Sequence, residues 1–177
     1  MSRRLAEGTE GPPPAEAAPA AEAVIALGAN LGDRHATLAA ALADLERLPL
    51  VSAVRASEPM ESVAVTVDGP DPDAPGYLNA VAIVTTRLAP TVLLSYLQAI
   101  EDRHGRVRRE RWGDRTLDLD LIAYGDVVCD TPTLTLPHPR AASRDFVLTP
   151  WLSIDPDAHL VGAGRVAELR DRLRDTP

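Results

Sequence analysis

The segment TLDLDLIAY, residues 116–124, limits the fold more than any other part of the chain. Its leucines alternate with Asp118 and Asp120, and side chains two positions apart on a strand point to the same face. The pattern therefore predicts a strand that buries one face of leucines and presents two carboxylates on the other face. Aspartate is a poor strand former, which favours a functional site, although a strand with two ordinary solvent-facing aspartates is equally compatible with this motif alone.

Apolar runs and amphipathic segments on either side of this strand define the rest of the fold. Strands are predicted over 23–28, 50–57, 77–86 and 116–124, and helices over 35–48 and 90–104. Leucines at helical spacing mark the first helix, and the second has Pro90 in its first turn and Gly105 as its stop. This β-α-β-β-α-β order predicts an α/β sandwich in which helices pack on a largely antiparallel sheet.

Three further predictions concern the segments between and after these elements. Residues 58–76 are rich in Pro, Gly and Asp and predict a long loop, and long loops inside compact domains tend to be functional or mobile. Gly125 and the VVCD that follows it predict a hairpin. Residues 142–151 predict a short helix, and GRVAELRDRLRD, residues 164–175, predicts a last helix with a weakly held end.

The length of 177 residues predicts one folded domain, and the composition of the first residues predicts a leader before it. Residues 1–22 are rich in Pro, Ala, Gly and Glu and have almost nothing to bury, so they predict a disordered segment. Residues 23–177 are then expected to form a single domain.

Charge and composition exclude several classes of protein. The formal net charge of -8 argues against nucleic-acid binding, because contact with a phosphate backbone requires a broadly basic surface. No apolar run approaches the roughly twenty residues of a membrane helix, and the N-terminus lacks the apolar core of a signal peptide. We therefore expect a soluble, cytoplasmic protein with no nucleic-acid or membrane partner. Cys129 is the only cysteine, which excludes an intrachain disulfide and a cysteine metal site.

All 18 basic residues are arginines, and several of them crowd into residues 103–115, directly before the carboxylate strand. A solvated loop is the ordinary explanation for such a run. Arginine is also the side chain best suited to forked contacts with phosphate, and magnesium takes oxygen ligands from one or two carboxylates plus substrate phosphates. Together the two features favour a phosphoryl-transfer site, and the lack of a G-x-x-x-x-G-K-[ST] motif excludes the ordinary nucleotide-triphosphate folds.

Four motifs occur in order along the chain: ALGANLGDR, PGYLNAV, GRVRRERWGDRTLDLDLIAYG, and LPHPR followed by RDFVL. In this order and at these separations they closely resemble the 6-hydroxymethyl-7,8-dihydropterin pyrophosphokinase family of folate biosynthesis, over about residues 23–160. The resemblance implies a ferredoxin-like α/β core, with a mainly antiparallel sheet flanked by helices in a three-layer sandwich. It also implies transfer of the diphosphate of ATP to 6-hydroxymethyl-7,8-dihydropterin, which gives AMP and the pterin diphosphate, with two magnesium ions (Mg2+) as cofactors.

The resemblance also assigns roles to individual positions of this chain. The positions that match metal ligands are Asp118 and Asp120, which with Arg106 and Arg115 also match catalytic positions. The positions that match ATP contacts are Gln98, Glu101, Arg108, Trp112, Arg115, Leu121, Thr135, His138 and Arg144. The positions that match pterin contacts are Ser57, Tyr77, Asn79 and Phe146. The two aromatic rings of the last set would stack on the faces of the flat pterin ring.

The chain departs from the family pattern at several positions. Ala29 replaces the usual serine in the turn after the first strand, and Asp114 stands where relatives often have proline. We expect the first change to have a structural effect only and the second to be neutral. In the loop after the second strand, SEPMES has Glu61 where glycine is usual, and the segment that follows is longer than in many relatives. The conformation of residues 57–75 therefore does not follow from the resemblance.

Two other functions are compatible with parts of the sequence. Another magnesium-dependent enzyme, a nucleotidyltransferase, would share the D-x-D strand. It keeps its Gly-Ser turn close to that strand, whereas Gly28 and Asp118 are some ninety positions apart here. A pterin- or nucleotide-binding module without turnover would fit the altered loop, whereas the intact carboxylate pair with Arg106 and Arg115 favours an enzyme. Other folate-pathway enzymes are candidate protein partners.

Overall fold

The computed structural model describes residues 19–62, 64–66, 69–71, 76–105 and 116–175. The helices are α1 (Arg34–Glu46), α2 (Pro90–Arg103), α3 (Asp145–Ile154) and α4 (Val166–Asp175), and Ala141–Ser143 forms a 3-10 turn. The strands are β1 (Ala21–Ala29), β2 (Val51–Ala56), β3 (Met60–Ser62), β4 (Ala64–Thr66), β5 (Gly69–Asp71), β6 (Tyr77–Thr86), β7 (Asp118–Tyr124), β8 (Cys129–Asp130), β9 (Thr135–Leu136), β10 (His159–Leu160) and β11 (Gly164–Arg165). Residues 1–18 of the predicted leader lie outside the described residues.

The ends of α1 and α2 lie within two residues of the predicted ranges. Asp33 caps α1 by accepting a hydrogen bond from the backbone N–H of Ala36, at 2.9 Å. Pro90 is the first residue of α2, and Gly105 follows the end of α2 with a φ of 83°, a conformation that suits glycine.

Among the described ranges, no helix is both long enough and apolar enough to cross a membrane.

Four long strands form the main sheet in the order β2-β6-β1-β7, and every neighbouring pair is antiparallel. β3 pairs with the same edge of β6 as β2 does, farther toward the beginning of β6. Together with α1 and α2, these strands confirm the ferredoxin-like β-α-β-β-α-β core.

Helices cover both faces of this sheet, which explains why residues 23–29 of β1 are an unbroken apolar run. On one face Ile25 packs in a cluster with Leu38 of α1 and Leu97 of α2. On the other face Val24 packs in a cluster with Trp151 of α3 and with residues of α4. The predicted three-layer sandwich is confirmed.

The predicted hairpin between β7 and the strand after Gly125 is wrong, because β8 pairs with β9 instead. The outer edge of β7 already binds other groups. The Leu119 N–H donates to the carboxylate of Glu101 at 2.9 Å. The carbonyl of Ile122 accepts from the backbone N–H of His138 at 2.8 Å. A returning strand would have to displace both hydrogen bonds.

Two other segments differ from their predictions. Residues 58–76 are not loop throughout, since β3 pairs with β6 and β4 pairs with β5. Strands of three residues are too short to show the alternation by which a strand is recognised in a sequence. The short helix predicted over 142–151 is divided into the 3-10 turn and α3, which meet at Arg144.

Asp44 of α1 joins this helix to the end of α2. Its carboxylate lies 3.1 Å from Nε2 of His104 and 3.3 Å from the guanidinium of Arg103. Burial raises the pKa of Asp44, but the hydrogen bond from His104 and the charge of Arg103 outweigh burial, so the pKa lies below its ordinary value of 3.8. The stability that these contacts contribute is therefore present above the unfolded pKa and is lost as pH falls through the folded pKa.

We expect Asp44→Asn to lower the free energy of unfolding at pH 7. The difference between the variant and the wild type should shrink as the pH falls below 3.8. The reason is that the protonated carboxyl of the wild type and the amide of the variant are both neutral there. Urea denaturation across this pH range measures the difference. Asp102→Asn, at an exposed position of α2, is the matched control. An Asp44→Asn effect of equal size at every pH would contradict the assignment.

Candidate active site

Three neighbouring strands bring a row of site residues to one end of one sheet face. Gly28 of β1 lies opposite Asn79 of β6 and also opposite Asp118 of β7, so the three positions share a face. Tyr77 and Asp120 lie two positions away on β6 and β7 and point to that face as well. Burial alternates as predicted over residues 118–121 of β7, with the leucines in the core and the two aspartates partly exposed.

Asp120 connects this row to the beginning of α3. Nη1 of Arg144 donates a hydrogen bond to Oδ2 of Asp120 at 2.7 Å. The same guanidinium lies 5.6 Å from the ring centroid of Phe146, within the range of a cation–π contact. The break between the 3-10 turn and α3 places Arg144 and Phe146 here, so a carboxylate, a cation and an aromatic ring meet at one point.

His138 approaches the same carboxylate from the turn after β9. Its Nε2 lies 4.0 Å from Oδ2 of Asp120, and its Nδ1 accepts a hydrogen bond from the backbone N–H of Arg140 at 3.1 Å. Burial lowers the pKa of His138, and the charge of Arg144 lowers it further, while the charge of Asp120 opposes both. A neutral ring whose Nδ1 accepts carries its proton on Nε2, so His138 presents an N–H donor toward the site.

Asn79 is a nearly buried amide, and only 5% of its surface is exposed. Its Nδ2 donates a hydrogen bond to Oγ of Ser62 at 2.7 Å. A Cβ atom placed on Gly28 would lie 3.4 Å from Oδ1 of Asn79 and 3.9 Å from the ring of Tyr77. Glycine at this position therefore leaves space beside the amide and the aromatic ring.

Three other residues that the resemblance assigns lie elsewhere. Ser57 is buried, and its hydroxyl accepts a hydrogen bond from the backbone N–H of Val81 at 3.0 Å. The hydroxyl of Thr135 donates to Asp130 at 2.9 Å. Gln98 is exposed on α2. The structure does not place these three in the row on the sheet face.

Two of the residues assigned to ATP lie in the core between α2 and the sheet. Leu121 is 4% exposed, and Glu101 is 2% exposed. The Glu101 carboxylate accepts the N–H of Leu119, which stands between the two aspartates of β7. Glu101 therefore holds the carboxylate strand from its outer edge, a role that the sequence did not predict.

Four assigned residues, Arg106, Arg108, Trp112 and Arg115, lie outside the described residues. The flanking residues are described, and a Cβ placed on Gly105 would lie 3.9 Å from the hydroxyl of Thr116. Gly105 and Thr116, which flank the arginine-rich segment, therefore lie close together. Thr116 is two residues before Asp118.

Two further residues belong to the site but were not assigned to it from the sequence. Gly28 carried a signal, since it ends a buried strand directly before a polar turn. Ser62 carried none, because its contact with Asn79 depends on the pairing of β3 with β6.

Asp118 and Asp120 are the groups that can hold a metal at this site. In the part of the chain that the structure describes, no three His, Cys, Asp or Glu side chains converge on a metal-sized position. Magnesium does not require such a set, because it is bound through one or two carboxylates together with substrate phosphates and water. The pair, with Arg144 and His138 beside it, therefore suits a hard cation that arrives with a phosphate.

Comparisons with known proteins agree with this chemistry. The family model described as 7,8-dihydro-6-hydroxymethylpterin-pyrophosphokinase (HPPK) matches residues 24–156. The chain is 42% identical over 150 residues to the 2-amino-4-hydroxy-6-hydroxymethyldihydropteridine pyrophosphokinase of Pseudomonas aeruginosa, covering 82% of this chain and 87% of the relative. It is 40% identical over 153 residues to the protein of the same name from Haemophilus influenzae, covering 86% and 93%.

Solved structures of longer proteins share the fold. The wild-type HPPK-DHPS of Plasmodium falciparum with pteroate has a TM-score of 0.67 at 13% identity, covering 89% of this chain and 43% of that chain. A structure described as HPPK-DHPS in complex with substrates has a TM-score of 0.64 at 11% identity, covering 87% and 43%. The chain thus spans less than half the length of these proteins, and at such identities the likeness shows the fold alone.

Proposed function

We infer that this chain, which belongs to the 7,8-dihydro-6-hydroxymethylpterin-pyrophosphokinase family, transfers the diphosphate of ATP to 6-hydroxymethyl-7,8-dihydropterin in folate biosynthesis. The products are AMP and the pterin diphosphate. The observation that carries this function is the row of Asn79, Gly28 and Asp118 across three strands. Because strands lie about 4.8 Å apart, an acceptor held at Asn79 and a phosphate centre at Asp118 are separated by about 10 Å.

The pterin ring is proposed to bind between Tyr77 and Phe146, with Asn79 at its polar edge. Tyr77 shares a sheet face with Asn79, and Phe146 reaches the same site from the first turn of α3. Flat heteroaromatic ligands are held by aromatic faces and a few fixed polar groups. The space beside Gly28 lets the ring approach the sheet closely. Ser57 is assigned to this side on the resemblance.

Asp118 and Asp120 are proposed to hold two magnesium ions together with the ATP phosphates. These ions would neutralise the charge of the transferred diphosphate and align it with the acceptor. The residues fit this role, since both are partly exposed carboxylates on one face. Arg144 already neutralises Asp120 in the structure, so the pair is compatible with a crowded charged site.

Arg144 and His138 are proposed to contact the ATP phosphates. Arg144 is a charged donor beside the carboxylate pair, and His138 presents a neutral N–H there. On the resemblance alone, the proposal gives further ATP contacts to Gln98, Thr135, Arg106, Arg108, Trp112 and Arg115. Glu101 and Leu121 are not included, because their side chains are buried in the core.

The proposed reaction is a single displacement. The hydroxymethyl oxygen of the pterin attacks the β-phosphorus of ATP and forms the new P–O bond. The bond from that phosphorus to the oxygen that bridges to the α-phosphate breaks, and this oxygen leaves on AMP. The hydroxyl proton passes to solvent, and no residue forms a covalent intermediate. Catalysis then depends on positioning and charge neutralisation.

Product analysis tests the function directly. The protein is incubated with magnesium-ATP and 6-hydroxymethyl-7,8-dihydropterin, and the nucleotides are separated by chromatography. We expect AMP and the pterin diphosphate in equal amounts, with no AMP when the pterin is omitted. ADP as the product would contradict the proposed transfer. Binding of either substrate without any turnover would support the alternative of a binding module.

A cytoplasmic location and contact with other folate-pathway enzymes remain part of the proposal. Fractionation of cells that produce the protein would test the first. Purification under mild conditions, followed by assay for the neighbouring activities of the pathway, would test the second.

A further inference from the structure

Ser62 lies on β3, inside the segment that departs most from the family pattern. Its hydroxyl oxygen is 2.7 Å from Nδ2 of Asn79, and this amide is almost completely buried. Ser62 stands directly opposite Tyr77 in the pairing of β3 with β6. Residues that lie opposite each other point to one face, so Ser62 faces the same site as Tyr77 and Asn79.

Arg34, the first residue of α1, anchors this short strand. Its Nη1 donates to the carbonyl of Gly76 at 2.7 Å, and its Nη2 contacts the carboxylate of Glu61 at 3.0 Å. One guanidinium therefore bridges the beginning of β6 and the middle of β3. The position of Ser62 relative to Asn79 is set both by strand pairing and by this bridge.

A side-chain amide has a donor end and an acceptor end, and a ligand meets whichever end is presented to it. In this structure the donor end of Asn79 faces Ser62 and donates one hydrogen bond to its hydroxyl. The acceptor end, Oδ1, lies toward the space beside Gly28. An amide without such a partner can turn about its terminal torsion, which is broad and roughly two-fold.

We propose that Ser62 is a positioning residue that orients the amide of Asn79, so that Oδ1 accepts a hydrogen bond from an N–H group on the edge of the pterin ring. This inference rests on the proposed function. Ser62 contributes to acceptor binding without touching the phosphates. The contact of Ser62 with Asn79 gives β3 a role in the site that its sequence does not indicate.

The test compares Ser62→Ala with Ser62→Thr, which keeps a hydroxyl at the same position. We expect Ser62→Ala to raise the KM for the pterin by about fivefold, the effect of one lost hydrogen bond. The KM for ATP, kcat and Tm should stay close to wild type, and Ser62→Thr should restore the KM for the pterin. Ser52→Ala is the matched control, since Ser52 is an exposed serine on β2.

A double-mutant cycle with Asn79→Ala separates orientation from a general effect on folding. If Ser62 acts through Asn79, Ser62→Ala should change the KM for the pterin little once Asn79 is alanine. An unchanged KM in Ser62→Ala, or equal losses in both backgrounds, would overturn the inference. Lack of turnover in the wild type would instead contradict the proposed function, so the two failures are distinguishable.

Discussion

Replacement of Asp118 or Asp120 by alanine is expected to abolish turnover, with kcat lowered by about a thousandfold or more. Each variant loses an oxygen ligand that magnesium requires, and metal-assisted charge stabilisation is worth several kcal/mol. The fold should remain intact, because both side chains are partly exposed and neither is part of the apolar core. Steady-state rates of AMP formation and thermal unfolding of each variant measure the two effects.

The matched control for this prediction is Asp126→Ala. Asp126 is exposed in the turn that follows the same strand, so its removal deletes one negative charge away from the carboxylate pair. We expect this control to retain wild-type rates. Near-normal turnover in either Asp118→Ala or Asp120→Ala would show that the metal assignment is wrong.

Replacement of Glu101 by alanine is expected to lower the free energy of unfolding by roughly 2 to 3 kcal/mol and to reduce kcat as well. The substitution removes a charge-assisted hydrogen bond and leaves the N–H of Leu119 without this partner in the core. Leu119 lies between Asp118 and Asp120, so a strand that is held less firmly at this point positions both carboxylates less accurately. Urea denaturation and initial rates test the two parts separately.

Two variants on the same helix are controls for Glu101. Glu101→Gln keeps an acceptor oxygen and should preserve most of the stability. Asp102→Ala removes the neighbouring, exposed carboxylate and should change stability by less than about 0.5 kcal/mol. If Glu101→Ala were as stable as Asp102→Ala, the buried contact with Leu119 would not support the strand.

The long elements of the fold follow from local patterns. β6 covers the predicted residues 77–86, and α2 begins at the predicted Pro90. The short elements do not follow, since β3 and β8 are too brief to carry a period of their own. The error at β8 has a specific cause, because Glu101 and His138 occupy the edge of β7 that a hairpin would need.

The candidate site likewise has one part that follows from the sequence and another that depends on the tertiary structure. The carboxylate pair follows from alternation on one strand, which is a local property of TLDLDL. The roles of Arg144 and Phe146 required the resemblance, and their meeting with Asp120 required the packing of α3. The assignment of Glu101 to ATP came from its position in a motif, whereas the structure places its carboxylate in the core against Leu119.

By itself, the sequence determined the β-α-β-β-α-β core, the shared face of Asp118 and Asp120, and the family. These depend on periodicity and motif order, which are readable from neighbouring residues along the chain. Only the tertiary structure decided that Ser62 meets Asn79 and that Glu101 meets Leu119, in contacts that span 17 and 18 positions of the chain. Such contacts are set by strand pairing and helix packing, and a lone serine or glutamate carries no local signal of them.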